Sequence, residues 1–479
     1  MRTFPRSLIA LGAMLSALSQ PVLAAPLAGE AAAAHVLNRL AYGPRPGDVA
    51  RVTQLGAARY IEEQLDPAAI PLPADLETRL GGLTTQAEAP GVALRRLLDA
   101  RAADKLGDGS NPRQRAVNKQ LTDEAAEARL LRAVRSPRQL EEVMTDFWFN
   151  HFNVFAGKGD VRALAASFER DAIRPHVFGR FRELLGATAH HPAMLAYLDN
   201  SVSKANGLNE NYARELMELH TLGVDGGYRQ ADVTELARML TGWTFRPKQL
   251  ADANEMFYFD PKRHDGGMKT WLGRSVAGRK EGDKSGDGLR EGEIALDILA
   301  MHPSTARYVS TKLARYFVRD VPPPALVERM TRAWMTSDGD IRTVLRTLFA
   351  SPEFLDDGAA GAKFKTPYQY VVSAARASAV PMETAEAKKL AGALSRLGMP
   401  LYGCQTPDGY DDTEAAWLNP DALGIRIGLA STLGKDADAA AVAGALGPLL
   451  SHRTREMAAA AAPKLHAALL LGSPDFMQR

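Results

Sequence analysis

Cysteine is almost absent. Cys404 is the only one in 479 residues, so no internal disulfide and no cysteine-built metal site is available, and stability has to come from core burial. Excess charge of one sign is missing as well. The formal balance is +2, and no basic stripe of the kind that neutralises a phosphate backbone interrupts it, so a nucleic-acid partner is excluded. Aromatic residues make up only 7%, and alternating strand patterns are nearly absent. There is no HExxH pair, no CxxC, no GxSxG elbow, no Walker loop and no GxGxxG after a strand. Each absence removes a familiar chemistry: zinc peptidase, dithiol exchange, serine hydrolase, nucleotide hydrolysis and dinucleotide redox. No resident metal or cofactor is expected.

The first residues, MRTFPRSLIALGAMLSALSQPVLA, join a basic start to a short apolar run and a small-residue cleavage pattern at Val22-Leu23-Ala24. This reads as a secretory signal peptide over 1–24, which places the mature chain in the periplasm or outside the cell. The run is too short for a comfortable membrane anchor, no later stretch reaches spanning length, and no stable membrane insertion is expected. Removing it takes away Arg2 and Arg6 and no acid, leaving a neutral mature chain. No cysteine at the cleavage site invites a lipid anchor.

What is present is helix after helix. The 46% hydrophobic content is arranged at helical spacing, with helices expected near 29–41, 57–65, 113–134, 180–189, 293–301, 304–318, 325–336, 340–350, 366–379, 384–397 and 454–471. In SPRQLEEVMTDFWFNHF, Ser136 and Pro137 open a helix whose buried stripe includes Trp148 and His151, with Asp146, Asn150 and Asn153 on a neighbouring polar face. The fold class is mainly α: one multi-helix globular domain of packed helical hairpins with one small β-hairpin insertion. Its regions run 25–244, 245–292 and 293–479.

Proline punctuates the chain in LLRAVRSPRQL, LLGATAHHPAML, DILAMHPSTA, RTLFASPEFL and ALLLGSPDFM, each a helix end, a turn and a new helix. His191 and His302 stand where Ser136, Ser351 and Ser473 stand elsewhere. They are therefore read as helix caps. In the insertion, MFYFDPKRHDGGMKTWLG sets two short runs around His264-Asp265-Gly266-Gly267, a turn that would join a β-hairpin with a polar, presented tip. The charged stretch after it resembles a lid or partner-binding loop. Asp283, Ser285 and Asp287 match the opening of a calcium loop, but its twelfth position is Ile294 and Glu293 comes one residue early, so any calcium site would be a poor one.

The densest cluster of ionisable residues is NENYARELMELHTLGVDGGYRQADVTELARMLTGW, two helices around a glycine turn. Tyr212, Leu216 and Leu219 face inward. Asn211, Arg214, Glu215 and Glu218 share the other side, and on the second helix Asp232, Glu235 and Arg238 face outward. Glu215 and Glu218 are close enough to raise each other's pKa if buried; if exposed they pair with Arg214. Cys404, in LYGCQTPDGY, has no partner base in the sequence and reads as an inert thiol.

These segments, together with FWFNHFNVF, HHPAMLAYLDN, FDPKRHDGGMKTWLG, HPSTARYVSTKLARYFV, ASPEFL and SPDF, resemble the domain of unknown function 1800 family over nearly all of the mature chain. The resemblance implies an exported, largely helical protein. Members often occur alongside a second family that looks like alkaline phosphatases and sulfatases. No activity follows from it. The family usually has threonine where Arg229 opens the second helix, which weakens that cap.

Two functions remain open. One is a metal-independent hydrolase or lyase acting on a polysaccharide of the envelope or the extracellular space. Its catalytic residues would be Glu215 as acid, Asp146 or Asp199 as partner, Glu218 beside it, and His264 folded back over them. Trp148 and Trp243 would stack on sugar rings, and His151, Arg214, Asp265 and Lys269 would bind substrate. The other is a non-catalytic helical scaffold that holds a phosphatase- or sulfatase-like envelope partner through 245–292.

Overall fold

Helix starts are fixed locally, and the histidines behave as the proline spacing predicts. In the computed structural model, which describes residues 26–106, 110–276 and 287–479, His191 Nδ1 accepts the Ala193 N–H at 3.1 Å and His302 Nδ1 accepts the Ser304 N–H at 3.2 Å. Each caps a helix that opens on proline, Pro192–Tyr197 and Pro303–Phe317. Ser473 caps Pro474–Met477 in the same way. Ser136 is an exception. Its Oγ accepts the Arg138 N–H, and the helix begins only at Gln139, past Pro137. The single helix expected over 454–471 is broken in two, His452–Ala460 and His466–Leu471, around Pro463. The signal segment lies outside the described residues, as do Asp283 and Ser285; Asp287 is the first residue of the helix Asp287–Ala300.

Helices stack on their chain neighbours. Pro303–Phe317 packs on Pro324–Thr336, which packs on Ile341–Phe349, while the long helix Pro112–Arg135 is flanked by Pro90–Lys105, Pro367–Ala377 and Thr384–Arg396. The contacts form one continuous apolar core. Four of the five tryptophans, Trp148, Trp243, Trp271 and Trp334, are fully buried in it. Burying a side chain of Phe size is worth about 1.5–3 kcal/mol, so each is an anchor of the fold. Among the described residues no helix is long and apolar enough to cross a membrane.

The β insertion is built differently from the hairpin expected. Its two runs do not pair with each other: β2 (Tyr258–Phe259) pairs antiparallel with β1 (Trp243–Thr244), and β3 (Lys269–Trp271) with β4 (Arg274–Val276). The β3–β4 turn is Leu272-Gly273, with φ +48° and +72°, the two positive values that a tight primed turn requires. Leucine rarely adopts such a φ. It is held there because its N–H donates to Asp232 Oδ1 at 2.9 Å. Asp232, expected to face outward, is thereby buried; its other oxygen accepts the Arg229 N–H at 2.8 Å, which keeps the return half of the capping box although Arg229 offers no acceptor.

Candidate functional site: a groove with an adjoining pocket

The helix Asn211–Glu218 buries Tyr212, Ala213, Leu216 and Met217, so the remaining side carries Asn211, Arg214, Glu215 and Glu218. Its last turn widens: Leu219 and His220 both donate to the Glu215 carbonyl, and Leu222 donates to Met217. Gly223 ends it at φ +80°, where an added Cβ would lie 2.8 Å from the Tyr308 ring. Glycine here lets Tyr308 close against the hairpin.

Glu215 is half-buried and has no hydrogen bond or ion pair from its side chain among the described residues. Burial pushes its carboxyl above the usual range, Glu218 and then Asp408 add to the rise, and Arg214 opposes it. Arg214 is turned away, to Glu210 at 3.2 Å and Gln230 at 2.9 Å; Glu218 accepts the Tyr228 hydroxyl at 3.4 Å. Glu215 therefore lines an open groove of about 520 Å³ with Phe155, Lys158, Tyr197, Asn211 and Gln405. At its edge Asp199 is held by Lys158 Nζ at 2.7 Å, which also donates to the Tyr197 carbonyl.

Pro407 lines this groove, and its chain neighbour Asp408 lines a second pocket of about 270 Å³. Asn150, His151, Tyr308, Lys312 and Arg315 form its walls, with Asp411 and Asp412 beside Asp408. Asn150 and Asn153, from the polar face of the helix Gln139–His151, bracket the loop that brings these acids in. Asn150 exchanges two 2.8 Å bonds with the Tyr410 backbone, and Asn153 donates to the Cys404 and Thr406 carbonyls. Gly409 sits at φ +78° with the Asn150 carbonyl only 2.3 Å from where a Cβ would be. Gly409→Ala is therefore expected to lower unfolding stability by roughly 1–3 kcal/mol and to shift the loop, measured by urea denaturation. An alanine variant as stable as the parent would show that the loop is not fixed by this contact. Cys404 is buried behind the loop, its thiol pushed up by burial.

At the pocket floor, His151 Nε2 lies 3.0 Å from the His220 carbonyl. A carbonyl only accepts, so Nε2 carries the proton and Nδ1, closed off from solvent, keeps a lone pair with no partner among the described residues. Burial, with Lys312 and His220 nearby, holds this imidazole well below its ordinary pKa, and therefore neutral. Lys312 is lowered to about 8, burial first; Asp412 opposes that fall and Arg315 adds to it.

Several predicted site residues are placed elsewhere. Asp146 reaches the pocket wall but is bound by Arg129, which also holds Glu169 at 3.0 Å, all three buried. Trp148 donates to the Val177 carbonyl within the core, and Trp243 stacks on His190, so neither indole faces the groove. His264, Asp265 and Lys269 form a cluster of their own. Lys269, fully buried, lies 2.6 Å from Glu291, His264 Nε2 lies 3.4 Å from the same oxygen, and Asp265 forms a two-point pair with Arg238. None of Asp146, Asp199, Glu215 and Glu218 is a partner of these three. The tip expected to be presented is tied down because His264 and Lys269 meet the buried Glu291, and Asp265 pairs with the half-buried Arg238.

Lys312, Asp408, Tyr308 and Lys158 were not singled out as site residues by spacing. The one available signal was LYGCQTPDGY, where the acid and the turn glycine, not the cysteine, reach the pocket. Among the described residues no three His, Cys, Asp or Glu side chains are grouped as a metal ion would require. No curated protein and no solved structure matches the chain. The family described as Protein of unknown function (DUF1800) matches residues 35–478, nearly the whole length, and the chain belongs to that family.

Proposed function

We propose that this is an exported enzyme that cleaves a glycan of the envelope or the extracellular space by general acid–base catalysis. The observation that carries the reading is Glu215: a half-buried carboxyl, raised in pKa and unpaired, on the wall of an open groove. A carboxyl in that state keeps its proton to higher pH than an ordinary glutamate and is placed to protonate a leaving glycosidic oxygen. Asp408, whose charge reaches Glu215, is the partner that activates water, in place of Asp146 and Asp199, which Arg129 and Lys158 neutralise. An open groove suits a chain better than a small molecule, and Phe155 and Tyr197 supply its apolar faces.

The test is turnover of a panel of bacterial glycans by the purified mature chain. Release of reducing ends or unsaturated products supports the reading. A folded chain that cleaves none of them favours the scaffold instead. Export has its own check: mass spectrometry of periplasmic material should give a mature N-terminus at Ala25 or within a few residues of it. An intact Met1 chain recovered from membranes would overturn it.

A further inference from the structure

The charges of the 270 Å³ pocket are not matched among themselves. Lys312 has no carboxylate within the 4.0 Å of an ion pair among the described residues, and its ammonium is otherwise 5.7 Å over the Tyr308 ring. Arg315, three residues on along the same helix, spends only Nε among the described residues, on the Asp320 carbonyl at 3.2 Å. The two cations share a helix face and line one cavity. Asp412, Asp408 and Asp411 support the Lys312 charge from a distance but none of them touches it, which leaves a direct ion-pair contact for an incoming carboxylate to make.

We infer that this pocket holds one carboxylated sugar unit of the substrate, its carboxylate between Lys312 and Arg315; this rests on reading the groove as a glycan site. A planar carboxylate fits a guanidinium fork and an ammonium together. The remaining lining suits the rest of a sugar ring: Asp411 and Asp412 accept its hydroxyls at the rim. Those same acids keep the site from accepting a doubly charged group. The volume lies just under the usual range of about 300–1,000 Å³ for small-molecule pockets, so it takes a single residue of a chain whose neighbours lie in the groove past Pro407.

The pH dependence follows from the groups that face Lys312: Asp146, His151, Tyr308, Arg315, Tyr316 and the three loop aspartates, with His220 behind His151. Burial keeps both histidines neutral and holds Tyr308 and Tyr316 protonated above the ordinary tyrosine range. Lys312, lowered to about 8, is the cation that is lost on going alkaline. Anion affinity is present below that pH and weakens above it.

The experiment is calorimetric titration of the mature Glu215→Gln chain, which binds without turnover, with a uronic-acid tetramer, a neutral glucose tetramer and a sulfated tetramer. The uronate is expected to bind about tenfold or more tighter than the neutral chain, as a charge-assisted contact should. Lys312→Met should remove that preference and Lys312→Arg should keep most of it. With Lys312 intact, the preference should shrink as pH is raised from about 7 to 9. Equal binding of uronate and neutral tetramers, a preference that survives Lys312→Met, or tighter binding of the sulfated tetramer would overturn the inference. The pH series on intact Lys312 keeps the test open if the methionine variant does not fold. A chain that binds uronate but cleaves nothing would defeat the catalytic reading and leave the pocket standing.

Discussion

Glu215→Gln is expected to lower kcat on the substrate glycan by about 10²–10⁴-fold while leaving KM and the melting temperature nearly unchanged. The amide keeps the shape and hydrogen-bonding reach of the carboxyl, and Glu215 makes no ion pair whose loss would loosen the fold. Only the transferable proton is gone. The pH profile supplies a second readout. Burial, Glu218 and Asp408 raise the Glu215 carboxyl above the ordinary glutamate value, so the active, protonated acid is present below that raised pKa and rate is lost as pH climbs through it. The glutamine variant should lack this limb. A variant with full activity and the same pH profile would remove Glu215 from the chemistry.

Arg129→Met is expected to destabilise the protein by about 3–5 kcal/mol, the largest stability effect foreseen for a single substitution. Arg129 binds Asp146 and Glu169 at once and lies over the rings of Phe149, Tyr368 and Tyr402 at 5.0, 5.3 and 5.3 Å. Glu169 also accepts the Tyr402 hydroxyl at 2.9 Å, and Arg174, on the far side of the network, binds Glu142 through two 2.8 Å contacts. Methionine fills much of the volume but strands the buried Asp146 carboxylate and leaves Glu169 only the Tyr402 hydroxyl and Arg174, at 3.6 Å. Burial already holds the Asp146 carboxyl above the usual range against the opposing pull of Arg129, so losing that pull raises it further, and the variant's deficit should be greatest at neutral pH and shrink as acid protonates Asp146. Denaturant melts of Arg129→Met across pH measure this. Adding Asp146→Asn and Glu169→Gln should restore part of the loss, and a single variant of parental stability would show that the network contributes nothing.

The candidate site was legible in part. Glu215 and Glu218 share a helix face because spacings of three and four residues always do, and the structure keeps them there. Lys158, Asp199 and Asp408 reach the same region from other segments, and nothing in local spacing announces that. The tryptophans depart from their expected place for a related reason. Scarce aromatics near acids suggest a sugar platform, yet the core took Trp148 and Trp243, since apolar area gains most where water is fully excluded. His264 and Lys269 looked like a presented tip until Glu291, a later helix residue, came to lie against them.

The sequence by itself determined the helical class and most of the helices, the capping roles of His191 and His302, and the family. Caps, proline stops and amphipathic stripes are written within a few residues of one another and need no distant partner. Only the tertiary structure decided which strands pair, which charges are neutralised and which remain free. The pairing of Asp146 with Arg129, and the absence among the described residues of a direct ion pair to Glu215 or Lys312, each depend on which groups from distant segments share a desolvated space. Desolvation is a property of that packing, and it turns a common charged residue into either a structural tie or a reactive group.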